Sequence, residues 1–128
     1  MTLNTELIIL HTTKFGEKSL VLHTLSKEYG RRSFLLRSVG KTASLFQPLN
    51  ILEGDITESS RSKLYTIKNI SAKTALNGIR GNIYKNTISL FMSEVLYRAI
   101  KDGENESGLF EWCERNIMLL DALEGNFN

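Results

Sequence analysis

Five short segments rich in β-branched and apolar residues fall within the first seventy positions, each parted from the next by a turn or a polar loop. No other feature limits the fold of this chain so tightly. Residues 6–13 and 18–25 flank a turn that contains Gly16, and residues 31–38 follow a turn at Tyr29-Gly30. Short strands joined by glycine-bearing turns predict an antiparallel meander. After a polar stretch over 40–45, residues 49–58 and 63–70 form a fourth and a fifth strand, joined by Ser59-Ser60-Arg61-Ser62. Pro48 stands where the fourth strand begins, a place that tolerates its missing N–H. Five strands of this length cannot cover both faces of an open sheet, so a small closed barrel is expected. The five-stranded oligonucleotide-binding (OB) barrel is the commonest solution of this size, and an SH3-like barrel is its main competitor.

The hydrophobic period then changes. Tyr84, Ile88, Phe91, Val95 and Ala99 recur at helical steps, which predicts a helix over roughly 80–102 that ends at Gly103. A second helix is expected over 107–123, with Leu109, Trp112, Ile117, Leu120 and Leu123 as its stripe, Asn105 or Ser107 as its cap, and Gly125 as its stop. The chain therefore reads as a barrel domain over 1–76 and a partial helical domain over 77–128, a helical hairpin. Charge divides at the same place. Residues 1–76 hold eleven Lys/Arg against six Asp/Glu, whereas 77–128 hold five against eight, so a basic module precedes an acidic one.

With 128 residues and 41% hydrophobic content the chain can build a core, and its composition excludes collagen-like and fully disordered classes. No apolar run is long enough to span a bilayer, and the start carries no basic region followed by an apolar stretch. A cytoplasmic protein without a membrane role is expected. The single cysteine, Cys113, rules out an intrachain disulfide and a thiolate-rich zinc site. It reads as a small buried apolar residue rather than a nucleophile, because no histidine lies in its half of the chain. His11 and His23, on adjacent strands, lack an evident third metal ligand. Phosphate-binding glycine loops and the G-x-S-x-G elbow are missing from the sequence. No catalytic residue, metal or cofactor is therefore assigned, and an enzyme is the least favoured class.

The richest cationic cluster is Arg31, Arg32, Arg37 and Lys41, with Lys14, Lys18 and Lys27 at neighbouring turns. Alternation along the third strand puts Phe34 and Leu36 in the barrel core and leaves Arg31 and Arg37 facing solvent, with Arg32 still within reach of solvent at the strand's first turn. Cations along a barrel face can follow a nucleic-acid backbone, and the turn aromatics Phe15 and Tyr29 can stack bases or pack on the barrel rim.

Ile9-Leu10-His11-Thr12-Thr13-Lys14-Phe15-Gly16-Glu17-Lys18-Ser19, then Leu25-Ser26-Lys27-Glu28-Tyr29-Gly30-Arg31, then Leu45-Phe46-Gln47-Pro48-Leu49, resembles the amino-terminal region of the RecO family of bacterial DNA repair and recombination mediators. The hairpin with Leu119-Leu120-Asp121 is similar to the next segment of Bacteroidetes-type members. The resemblance implies an OB barrel followed by a helical domain. It also implies binding of single- and double-stranded DNA, strand annealing, and RecA loading together with RecR and single-strand-binding protein, in the bacterial cytoplasm at the nucleoid. It carries over no catalytic residue. Lys14, Lys18, Lys27, Arg31, Arg32, Arg37 and Lys41 are the DNA contacts it implies here. The alternative is a protein–protein adaptor with little direct DNA contact.

Family members are longer, with more helices and often a zinc-binding cysteine cluster. The hairpin is accordingly expected to expose an apolar patch of Phe91, Met92, Trp112, Ile117 and Leu120 that associates with another copy of the chain.

Overall fold

A computed structural model describes residues 2–124. The strands are β1 (Thr2–Phe15), β2 (Ser19–Ser26), β3 (Gly30–Leu36), β4 (Ile51–Thr57) and β5 (Tyr65–Ala72). A 3-10 turn over Ala43–Phe46 bridges β3 and β4, and the helices are α1 (Asn77–Arg80), α2 (Ile83–Ala99) and α3 (Leu109–Ala122). The strands close into a barrel in the order β1-β2-β3-β5-β4, with β4 returning to β1. Every pairing is antiparallel except β3 with β5, where Phe34 and Leu35 stand beside Tyr65 and Thr66. This closure is that of the OB barrel and not of its SH3-like competitor.

β1 makes closure possible because it is long enough to serve two partners. Its first half pairs with β4, from Thr2 opposite Thr57 to Ile8 opposite Ile51, and its second half pairs with β2 as far as Phe15 opposite Ser19. A register shift between Ile9 and His11 marks a bulge where the strand bends from one partner to the other. The run Leu7-Ile8-Ile9-Leu10 is no more than 1% exposed, which means that both of its faces are covered. Leu7 and Ile9 enter the barrel interior with Leu22, Phe34, Leu36, Leu52, Ile56 and Ile67. Ile8 and Leu10 point outward into a second cluster with Leu25, Ile51, Ile79, Phe110, Cys113 and Ile117, which fills the space between barrel and helices. A strand buried on both faces reads as a continuous apolar run for this reason.

The helical part departs from its expected form in four respects. The predicted single helix from residue 80 is broken at Gly81, and α2 starts afresh from Asn82, whose side chain accepts from the Tyr84 and Lys85 amides at 3.0 Å. α3 is entered through Gly108 in a left-handed conformation with no side-chain cap, so neither Asn105 nor Ser107 fills that role. α2 ends at Ala99, and Gly103 lies in the loop beyond it; Gly125 lies outside the described residues.

The fourth departure concerns which face of α2 is inside. Tyr84, Ile88, Phe91, Val95 and Ala99, the stripe that defined the helix, are exposed, and the buried positions are Lys85, Ser89, Ser93 and Ile100. Small serines let α2 sit close, and each satisfies its own hydroxyl: Ser89 donates to the Asn86 carbonyl at 2.7 Å and Ser93 to the Leu90 carbonyl at 2.9 Å. Lys85 spans to α3, donating to the Asp121 and Leu123 carbonyls, where a cation complements the negative end of the helix dipole. Of the expected patch, Phe91, Met92 and Trp112 are exposed, but Ile117 is buried in the outer cluster and Leu120 is half-buried against it.

The loop between α2 and α3 is fastened to β3. The Arg31 amide donates to the Glu104 carbonyl at 2.7 Å and the Gly103 amide donates to the Arg31 carbonyl at 2.8 Å. Gly30 has φ +67°, and a Cβ on it would overlap the Glu104 carbonyl. Gly30→Ala is expected to lower unfolding stability by about 1–3 kcal/mol, from backbone strain and displacement of this loop. Urea denaturation followed by circular dichroism checks it, and an unchanged midpoint would mean that the loop is not held there.

Candidate nucleic-acid interface

The seven cations named from the sequence do not form one surface. Lys14 and Lys18 stand on the β1–β2 hairpin, which turns through Gly16 at φ +73°. Arg37 and Lys41 lie on the segment that leaves β3 at the same end of the barrel. The two walls are tied together: the Ser19 hydroxyl donates to the Arg37 carbonyl at 3.0 Å, and the Val39 amide donates to the Lys18 carbonyl at 3.1 Å. Between them runs an open groove of about 580 Å³, lined by Lys14, Glu17, Lys18, Ser38, Gly40 and Ala43 among others. All four cations are exposed, and Phe15 at the hairpin is 54% exposed, available for stacking rather than packed on the rim. Lys14 and Lys18 in the groove, with Arg37 and Lys41 exposed on the segment that bounds it, can track phosphates, and the exposed Phe15 ring can stack a base.

Lys27 belongs to the opposite end, in the β2–β3 turn. Its ammonium lies 4.0 Å from Glu6, which also holds Lys73, and Lys73 reaches Glu114 on α3 at 2.7 Å. Arg32 is half-buried. Its guanidinium lies 3.8 Å from the Tyr65 ring centroid and 5.9 Å from that of Tyr29, and it donates to the Lys63 carbonyl at 2.9 Å. Tyr29 packs edge-on against Phe34 and Tyr65 and donates its hydroxyl to Glu58 at 2.9 Å. Burial, reinforced by that carboxylate, pushes its pKa up to about 12.

The β4–β5 loop carries Arg61 and Lys63, both exposed, beside Arg32. They add to the positive charge of the first module, but nothing local in the sequence places them at a site. Their signal was Arg61-Ser62-Lys63 in a polar turn, and only the parallel β3–β5 pairing shows that this turn lies next to the start of β3.

Arg31 requires a correction. Alternation holds, since Phe34 is fully buried inside the barrel and Arg37 is exposed as expected. Arg31 does face outward, but the end of α2 and the following loop cover it, leaving it 4% exposed. Its guanidinium lies 5.2 Å from the Tyr97 ring centroid, and Nη1 is 3.4 Å from the Ser33 hydroxyl and 3.8 Å from Asp102. A strand pattern tells which face a residue is on; it cannot tell what other element covers that face.

His11 and His23 are cross-strand partners with ring centroids 5.6 Å apart. Both nitrogens of His23 are engaged by hydroxyls, Nε2 with Thr13 at 2.9 Å and Nδ1 with Ser33 at 2.7 Å, an arrangement that leaves no lone pair aimed at a metal. No metal-holding group of three or more His, Cys, Asp or Glu occurs among the described residues. Cys113 is 3% exposed, and burial raises its thiol pKa, so it stays protonated in the outer core. No helix among the described residues is long and apolar enough to cross a membrane.

Residues 1–75 match the family model described as "Recombination protein O N terminal". The chain is 32% identical over 127 residues to a DNA repair protein RecO of Phocaeicola vulgatus, covering 94% of this chain and 52% of that protein. It is 30% identical to the RecO of Flavobacterium johnsoniae, covering 94% of the chain and 54% of that protein. It is also 24% identical to the RecO of Azobacteroides pseudotrichonymphae, over the whole chain and 55% of that protein. The chain thus spans about half the length of the curated relatives it matches.

The contrast between Arg31 and Arg37 is testable. Arg31→Ala removes a buried ring contact and the packing of a long side chain and is expected to cost about 1–3 kcal/mol of stability, whereas Arg37→Ala should stay within about 0.5 kcal/mol. Equal denaturation midpoints for the two variants would show that Arg31 is not the buried residue described.

Proposed function

The chain belongs to the RecO family of DNA repair proteins, and from that footing we propose that its barrel binds DNA through the groove between the β1–β2 hairpin and the segment after β3. One observation carries this reading: Lys14 and Lys18 line the groove, while Arg37 and Lys41 stand exposed on the segment that supplies its other wall, on either side of Ser38, Val39 and Gly40, and the exposed Phe15 follows Lys14 in the hairpin. Phosphates supply the attraction, and release of their counterions supplies the driving force. Arg32, with Arg61 and Lys63, offers a second cationic position at the other end of the β3 edge, so a strand laid along β2 and β3 would meet positive charge at both ends. Lys27 contributes less, because it stands at the opposite end of the barrel with Glu6 4.0 Å from its ammonium. Arg31 acts as a support for the barrel face.

In the bacterial cytoplasm at the nucleoid, this contact would serve strand annealing and, together with RecR and single-strand-binding protein, the loading of RecA. The reading assigns no bond-making step to the chain. Replacing Lys14, Lys18, Arg37 and Lys41 together by Ala should leave circular dichroism unchanged and weaken binding of labelled single-stranded DNA. Four lost phosphate contacts at about 0.7 each reduce the slope of log affinity against log salt by about 3. Unchanged affinity and slope would refute the groove.

A second reading, association with another copy of the chain through the helices, is favoured by the exposure of Phe91 (66%), Ile83 (76%), Leu119 (59%) and Trp112 (52%). Each large side chain removed from water is worth about 1.5–3 kcal/mol. Sedimentation over a wide concentration range is expected to show association of the 128-residue chain, and its loss in Phe91→Glu/Trp112→Glu. A monomer at every concentration would contradict this reading.

A further inference from the structure

The outward face of β1, β2 and β3 carries a cluster that DNA binding leaves unused. His11 and His23 face each other across β1 and β2, and Tyr97 of α2 lies over both, stacked on His11 at 4.7 Å and 5.3 Å from His23. Arg31 of β3 joins the cluster, its guanidinium 5.2 Å from the centre of Tyr97's ring. Behind Tyr97 the chain leaves α2 and returns along β3, held by the two main-chain bonds between Arg31 and residues Gly103 and Glu104. The cluster therefore fastens the end of α2, and the loop after it, to the barrel.

Its charges are poorly balanced. The groups that face His23 are His11 and the Thr13 hydroxyl on β1, Arg31 and the Ser33 hydroxyl on β3, Tyr97 on α2 and Asp102 in the loop. Asp102 is the one carboxylate in that set, and its side chain is 78% exposed. The hydroxyls can rotate to accept from either ring nitrogen, so protonating His23 would not break its hydrogen bonds. It would instead place a second cation beside the buried Arg31 guanidinium, whose nearest counter-charge is screened by water. Burial first, then Arg31 and His11, hold His23 below its ordinary value of 6.5, against a smaller opposing pull from Asp102.

We propose that the His11–His23–Tyr97–Arg31 stack is a proton-operated clasp: neutral His23 keeps α2 and its following loop shut against β2 and β3, and protonation of His23 opens them. The closed form binds the proton less tightly than the open form. The clasp is therefore fully shut above the ordinary histidine value, and its closing equilibrium falls by up to about tenfold per pH unit as the pH drops from about 6.5 towards the lowered value.

Amide hydrogen exchange on the intact chain between pH 7.5 and 5.5, corrected for the intrinsic rate, tests this. Protection at the Arg31 and Gly103 amides should fall by up to about tenfold per pH unit below about 6.5, while amides of the barrel interior such as Leu52 and Ile56 hold theirs. The histidine ring shifts should place the His23 midpoint below 6.5, within the range over which protection is lost. His23→Gln, which keeps polar contacts but cannot take up a proton, should abolish the pH dependence with the interior amides still protected. Protection at Arg31 and Gly103 that does not change with pH, a His23 midpoint at or above 6.5, or the same pH dependence in His23→Gln would each overturn the clasp.

Discussion

The two-sided burial of β1 is the constraint on which the rest of the structure depends. Leu7 and Ile9 fill the barrel, and one residue out of step Ile8 and Leu10 seat the helices. Because side chains alternate, one strand both closes the barrel and seats the helical part directly against it. The bulge after Ile9 is what lets the same strand bend from β4 to β2. A polar residue at either of the outward positions would leave the barrel topology intact in principle but strip Phe110, Cys113 and Ile117 of their floor.

That constraint also determines which cations are free to act. Covering the outward face near the start of β3 removes Arg31 from solvent and converts it into a packing residue under Tyr97. The uncovered end of the barrel, beyond the reach of the helices, keeps Lys14, Lys18, Arg37 and Lys41 exposed. The surface proposed for DNA is thus what the packing of α2 and α3 leaves open. The apolar residues on the exposed side of α2 are a separate matter: none of them lines the groove, and the described chain leaves their face uncovered.

Most of the barrel was legible in the sequence because its signals are local. Alternation correctly put Phe34 and Leu36 inside, and the turns at Gly16 and Tyr29-Gly30 mark the ends of the right strands. β4 starts two residues later than expected, since Leu49 takes φ +67° and turns the chain before the ladder begins. The helices were legible as helices, but their orientation was not. A stripe of large apolar residues normally marks the inner face, whereas here Ser89 and Ser93 lie inside because close approach to neighbouring elements needs small side chains. The same long-range information was missing for Arg31 and for the loop holding Arg61 and Lys63, whose surroundings come from β3 meeting β5 and the 101–104 loop.

The central claim is that the hairpin and post-β3 end of the barrel is the DNA face. Titrating the isotopically labelled chain with a short single-stranded oligonucleotide, and following backbone amide shifts, tests it most directly. The account predicts that the largest shifts fall on residues 14–19 and 37–43, with smaller ones at 61–65. Shifts confined to the exposed face of α2, over 83–95, would contradict it and move the interaction surface to the helices.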